Sequence, residues 1–264
     1  VSLRPILGSV SPIFLLLLAI TAGGGYLCTL GTPLDTSLGT PLGSDALSTT
    51  GVVLLVLGGW AVSLCLHEFG HAAVAYRGGD HAVAEKGYLR LDVRRYAVPG
   101  LTFVLPVFIL IVGGIPLPGG AVWINNWAIR SRAMRSLVSL AGPLINLVLG
   151  ILLVAVLNYV DMPDTLRAGL TYLAEVQVLA FVLNILPIPG LDGWGALEPY
   201  LSQENREFGD RAKQWTPIIL LVILVGVRQV AQPFFALSQF VFELLGGNPA
   251  DADVGHYLFM FWQR

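Results

Sequence analysis

Apolar runs of about 20 residues near 10–30, 51–76, 137–160 and 168–186, with a longer interrupted one over 215–246, constrain this chain more than any motif does. A run of that length crosses a hydrocarbon core about 30 Å thick, where every backbone amide and carbonyl must find a partner within the protein, so helix is the form it takes. Composition agrees: 55% of residues are hydrophobic and 12% charged, and the mean hydropathy is +0.73, against roughly 25% charged residues in a soluble domain. The expected fold is an all-α polytopic membrane protein of about 5–6 transmembrane helices, a single membrane-embedded domain over 1–264. The lipid bilayer is its medium, and a formal net charge of -2 offers no electrostatic handle for nucleic acid. Ile13 to Ile20 follows Arg4 as a signal peptide would, but the continuation through Gly23-Gly24-Gly25-Tyr26-Leu27 gives it spanning length, so it reads as a retained first span. Cys28 and Cys65 lie in apolar segments without disulfide or zinc-thiolate spacing and read as buried thiols.

The interval 98–123 is apolar but carries Pro99, Pro106, Pro116 and Pro118 with Gly113-Gly114 and Gly119-Gly120, which argues against a straight helix. Irregular backbone survives at bilayer depth only under protein or beside water, so this piece is expected to re-enter against the helices. Charge supports that. Arg77, Lys86, Arg90, Arg94 and Arg95 follow the second span, Arg130, Arg132 and Arg135 precede the third, and Arg206, Arg211 and Lys213 follow the fourth. The loops 31–50 and 161–167 between them carry only Arg167. A cytoplasmic N-terminus puts every basic cluster inside, provided 98–123 returns to the side it left; a plasma-membrane location is expected.

Against that background, His67-Glu68-Phe69-Gly70-His71 near the end of the second span needs a purpose, since each ionisable group at bilayer depth costs roughly 2.5 to 3.5 kcal/mol on insertion scales. Positions i and i+4 share a helix face, so both imidazoles can hold one zinc ion while Glu68 reaches its water as general base. About ten residues, or roughly 15 Å, separate His67 from Arg77, giving the site an inward bias. A catalytic zinc takes three protein ligands, and the third candidate is Asp192, in Asn184-Ile185-Leu186-Pro187-Ile188-Pro189-Gly190-Leu191-Asp192-Gly193, where two prolines interrupt the fourth span.

The pentad, the later Asn-x-x-Pro-x-x-x-x-Asp-Gly and the intervening Ala141-Gly142-Pro143-Leu144-Ile145-Asn146 resemble the site-2 protease family, intramembrane zinc metalloproteases that cut transmembrane helices of other proteins. The resemblance covers about 50–200, the catalytic core. It implies one zinc per chain held by His67, His71 and Asp192, Glu68 as general base, and Asn146 as the polar residue facing substrate or oxyanion. It also implies a membrane-inserted β-hairpin over Leu101 to Ile124 that receives an extended substrate strand. Depth is consistent: Asn146 lies about 14 Å from the basic end of its span, comparable to His67. No segment between the second and fourth spans suits a PDZ-type domain, so the compact form of the family is the one resembled. The implied function is regulated intramembrane proteolysis of transmembrane-helix substrates. The opposing reading is a non-catalytic zinc-binding or metal-transporting membrane protein, which would carry acidic or histidine sites at successive depths.

Other polar residues read more plainly. His81 and His256 are expected to be solvated, and Tyr88 to Val93 alternates as a short strand would. Glu175 and Gln177 sit inside the fourth span, Glu175 suiting a water path or a bond to another helix. Arg228-Gln229 and Gln232-Pro233 are expected to break the last apolar region into halves.

Overall fold

The structure, a computed structural model, describes residues 10–31, 45–96, 122–226 and 228–263. Among the described residues, four helices are long and apolar enough to cross a membrane: α1 (Pro12–Leu30), α2 (Ala46–Gly78), and, after the short α3 (Ala82–Glu85) and α4 (Val93–Tyr96), α5 (Arg132–Tyr159) and α6 (Asp164–Asn184). Three of them begin where the sequence supplies a capping side chain. Ser11 accepts from the amide of Ile13 with Pro12 opening α1, Asp45 accepts from Ser48 at the head of α2, and Ser131 from Met134 at the head of α5. Arg167 closes the other end of α5 by donating to the carbonyl of Leu157 at 2.8 Å. The described residues contain no β-strand. The expected re-entrant segment 98–123 lies, up to residue 121, outside the described residues.

Helix α1 runs antiparallel to the first part of α2, with Gly24 against Leu55, Thr21 against Gly58 and Gly51 against the buried Cys28. Helix α5 runs antiparallel to the second part, with Ala141 and Ile145 on Gly70 and Met134 on Gly78. Helix α6 lies alongside both, its Leu173 on Gly59 and its Val178 on Gly150. The outward faces stay apolar: Leu15, Leu16, Val148, Ile151 and Leu152 are all more than two-fifths exposed, the pattern of a lipid-facing surface. Lengths then set depth. With 19 and 21 residues, α1 and α6 are about 29 and 32 Å long, one bilayer core each. With 33 and 28 residues, α2 and α5 are about 50 and 42 Å long, so their paired ends project past the shorter helices.

Beyond α6 the chain turns through residues 185–191 into α7 (Asp192–Leu197), then α8 (Gln203–Ala212), α9 (Thr216–Leu221), a π-helical turn (Val222–Gly226), α10 (Arg228–Leu244) and α11 (Pro249–Phe259). The expected break in the last apolar region falls earlier than its proline: α10 runs through Pro233, and the irregularity is the π turn before it. Tyr88 to Val93 is not a strand. Tyr88–Arg90 form a 3-10 turn, Leu91 has φ 54°, and Tyr88 and Leu89 are both buried, because the segment folds back on α2, where its Arg90 carbonyl accepts from the Ser11 amide at 2.9 Å. His81 is exposed as expected, whereas His256 is half-buried on Tyr172, with ring centroids 5.2 Å apart, because α11 packs on α6.

Candidate metal centre

The site forms where α2, α5 and the end of α6 meet. His67 and His71 project from one face of α2 and are both buried, with Nε2 atoms 3.1 Å apart. Helix α5 crosses directly over them at Gly142. A methyl there would lie 2.5 Å from His67 Nε2 and closer still to His71 Nε2, so only glycine leaves room for the rings. One turn away on either side, α5 supplies each ring with an acceptor: His71 Nδ1–H donates to the Val138 carbonyl at 2.7 Å, and His67 Nδ1–H donates to Asn146 Oδ1 at 2.6 Å. Pro143 breaks the helical bonding of α5 between these acceptors, since it has no N–H for the Ser139 carbonyl.

These bonds fix the tautomers. A carbonyl only accepts, so each Nδ1 carries the proton and each Nε2 points its lone pair inward. The third group arrives from the broken end of α6. That helix stops at Asn184, three residues before Pro187; the chain turns at Gly190, whose φ of 97° belongs to the left-handed region, and Thr216 Oγ1 donates to the Pro189 carbonyl to pin the loop. Asp192, first residue of α7, then lies 3.2 Å from His67 Nε2 through Oδ2 and 3.4 Å from His71 Nε2 through Oδ1. In the neutral rings, two lone pairs and a carboxylate converge, an arrangement that suits a cation.

The donor set fits zinc. Bonds of about 2.0 Å at tetrahedral angles put neighbouring ligand atoms about 3.3 Å apart, and the three separations here are 3.1, 3.2 and 3.4 Å. Among the described residues His67, His71 and Asp192 are the one group of three such donors that could hold a metal ion. They open on a cavity of about 430 Å³ that Glu68, Val122, Ile124 and Asn184 also line. Glu68 is 3% exposed, and its carboxylate accepts from the Val122 amide.

Of the residues expected from sequence, His67, Glu68, His71 and Asp192 come together in this cavity, while Asn146 lies behind His67 and not in the cavity wall. Asn146 Nδ2 donates to Gln177 Oε1 at 3.0 Å, so both ends of its amide are engaged. Asn184 is the residue that sequence reading passed over. It is 4% exposed, and its Nδ2 is buried without a hydrogen-bond partner among the described residues. The signal was present as the first letter of the Asn-x-x-Pro-x-x-x-x-Asp-Gly motif.

Membrane-length helices closing around a buried histidine pair, a carboxylate and a separate acid define a metallohydrolase embedded in the bilayer. Over 263 residues, 99% of its length, the chain is 45% identical to a protein of Mycobacterium tuberculosis named "Putative zinc metalloprotease Rip2", 95% of which is covered. The protein of the same name from Mycolicibacterium smegmatis is 43% identical over 265 residues, spanning 99% of this chain and 98% of that one. A Bacillus subtilis protein named "Putative zinc metalloprotease YwhC" is 30% identical over 176 residues, 62% of this chain and 77% of its own. No family model and no solved structure matches the chain. The chain belongs to the site-2 protease family: it is an integral-membrane zinc metalloprotease.

Proposed function

We propose that this protease cuts transmembrane segments of other membrane proteins near the cytoplasmic edge of the bilayer, with His67, His71 and Asp192 as zinc ligands and Glu68 as general base. The observation that carries the proposal is the convergence of two Nε2 lone pairs and one carboxylate at tetrahedral spacing, with Glu68 in the same cavity. Bound there, zinc supplies a Lewis acid that polarises the scissile carbonyl and acidifies water to a pKa of about 7. Glu68 takes the proton of the attacking water and returns it to the leaving amine. Asn184 donates its unpartnered Nδ2 to the oxygen on which charge develops, the role that family resemblance attaches to Asn146. The observed bonds favour Asn184, because Asn146 already spends its amide on His67 and Gln177.

Substrate must lose its helical hydrogen bonds before a carbonyl is exposed to attack. Residues 122–124 support a docking strand: they are non-helical, line the cavity, and touch Glu68 through the Val122 amide. In this reading 98–123 re-enters the membrane as a hairpin and the substrate adds to it as a strand. Orientation rests on charge. Arg77, Arg130, Arg132, Arg135, Arg206 and Arg211 all lie at the helix ends nearest the metal centre, so the positive-inside rule puts that end and the N-terminus in the cytoplasm. The run α9, π turn and α10 over 216–244 then serves as a fifth, kinked crossing of a single membrane-embedded domain over 1–264 whose catalytic core is about 50–200.

Glu68→Gln tests the assignment. Purified variant should keep one zinc per chain while cleavage of a co-expressed single-span substrate disappears. Parent-like cutting by this variant removes Glu68 from the mechanism.

A further inference from the structure

The polar chain behind His67 reaches a third helix. His67 on α2 donates to Asn146 on α5, and Asn146 donates to Gln177 on α6, through bonds of 2.6 and 3.0 Å. All three side chains are at least 95% buried, Gln177 at 1% exposure. An asparagine amide has nearly the same shape either way round, so packing alone does not decide which end meets His67. The choice matters. With Oδ1 toward the ring, Nδ1 carries the proton and Nε2 keeps its lone pair for a metal. With the NH2 toward the ring, Nδ1 must accept, the proton moves to Nε2, and the ligand atom is blocked.

Resting on the reading of His67 as a zinc ligand, we infer that Gln177 is a positioning residue for the zinc site: its Oε1 holds Asn146 in the orientation that keeps the His67 Nε2 lone pair free. Asn146 acts in the same relay. His71 needs no such device, because its acceptor is a backbone carbonyl with one polarity. The two ligands of one pentad therefore differ in how they are set. His71 is fixed by the fold of α5, and His67 depends on a side-chain relay anchored 31 residues further along the chain from Asn146. This also accounts for an uncharged polar side chain at the buried core of α6, where an apolar one would cost less.

The test is zinc affinity of the full chain in detergent, read by chelator competition. Gln177→Met, close to glutamine in length and volume but without the acceptor, should weaken zinc binding roughly tenfold, the lower end of the range for outer-shell partners. In an Asn146→Asp background the carboxylate accepts from His67 in either orientation, so adding Gln177→Met should change zinc affinity little. An unchanged affinity in Gln177→Met, or the same loss in both backgrounds, overturns the inference. If Gln177→Met does not yield folded protein, Asn146→Leu against Asn146→Asp replaces it: the leucine variant should lose affinity and the aspartate variant keep it, and equal affinities overturn the relay. A parent protein without stoichiometric zinc is a different failure, that of the site assignment itself.

Discussion

Gly142→Ala should disable the metal centre while leaving the helices intact. The added methyl would sit 2.5 Å from His67 Nε2 and 2.7 Å from its Cδ2, where ordinary contact begins at 3.4 Å. His67 and His71 are both buried, so α5 must retreat by about 1 Å or the rings must leave their places. Retreat is costly because both ring acceptors ride on α5. Bonds of 2.6 Å from His67 to Asn146 and 2.7 Å from His71 to Val138 would stretch to about 3.6 Å, beyond hydrogen-bonding range. Loss of one outer-shell partner costs roughly 10- to 100-fold in metal affinity. Losing two predicts a zinc affinity lower by about 10² to 10⁴, or roughly 2.7 to 5.5 kcal/mol. Helix propensity pulls the other way, alanine being favoured over glycine by about 1 kcal/mol, so a general weakening of α5 is not the cause. Chelator competition on purified protein measures the effect. Gly150→Ala on the same helix, where the methyl's tightest contact is the Val178 side chain at 3.1 Å and the Ala174 carbonyl and Gln177 Cβ lie at an ordinary 3.7 Å, is the control. A Gly142→Ala variant within threefold of the parent's zinc affinity would refute the packing argument.

Asn184→Ala should leave zinc in place and lower the turnover number about 10²- to 10³-fold, as loss of an oxyanion donor does; steady-state kinetics on a membrane substrate checks it, and simultaneous loss of zinc would make Asn184 structural instead. Replacing Asp192 with Ala should reduce bound zinc and cleavage together, measured by metal analysis beside the cleavage assay, whereas a mere turn residue would leave zinc bound. Outside the spans, Arg94 bonds both carboxylate oxygens of Asp92, through Nε at 3.0 Å and Nη2 at 2.8 Å, and holds that carboxyl below the usual carboxylate range. A depressed folded-state pKa stabilises the fold above the unfolded value of about 3.9 and loses that contribution as pH falls through the folded value. Asp92→Asn should therefore flatten the acid limb of the stability profile below about pH 4, read by thermal unfolding in detergent, and an unchanged limb would deny the linkage.

The parts of the site that were legible in the sequence are those with local rules. The pentad uses helical periodicity, and α6 ends where Pro187 and Pro189 require it to, which brings Asp192 to the histidines. The residues that needed three-dimensional register were not legible. Asn146 could be placed at the right depth, but depth does not say which way an amide faces, and its bonds to His67 and Gln177 depend on the rotation of three helices. Gln177 stood out as polar within a span, yet nothing in the chain names its partner. Asn184 lies in a quoted motif but precedes a proline-broken loop, across which helical spacing carries no geometry. Tyr88 to Val93 shows the converse: an alternating pattern that two buried neighbours, Tyr88 and Leu89, turn into a 3-10 turn against α2.

X-ray absorption at the zinc edge on the purified full-length protein tests the central claim most directly. The site described here predicts one zinc per chain in a shell of nitrogen and oxygen at about 2.0 to 2.1 Å with the outer scattering of two imidazoles, and conversion of both His67 and His71 to Ala should abolish it. A sulfur shell near 2.3 Å, which would bring Cys65 or Cys28 into the site, or zinc that persists without both histidines, would contradict it.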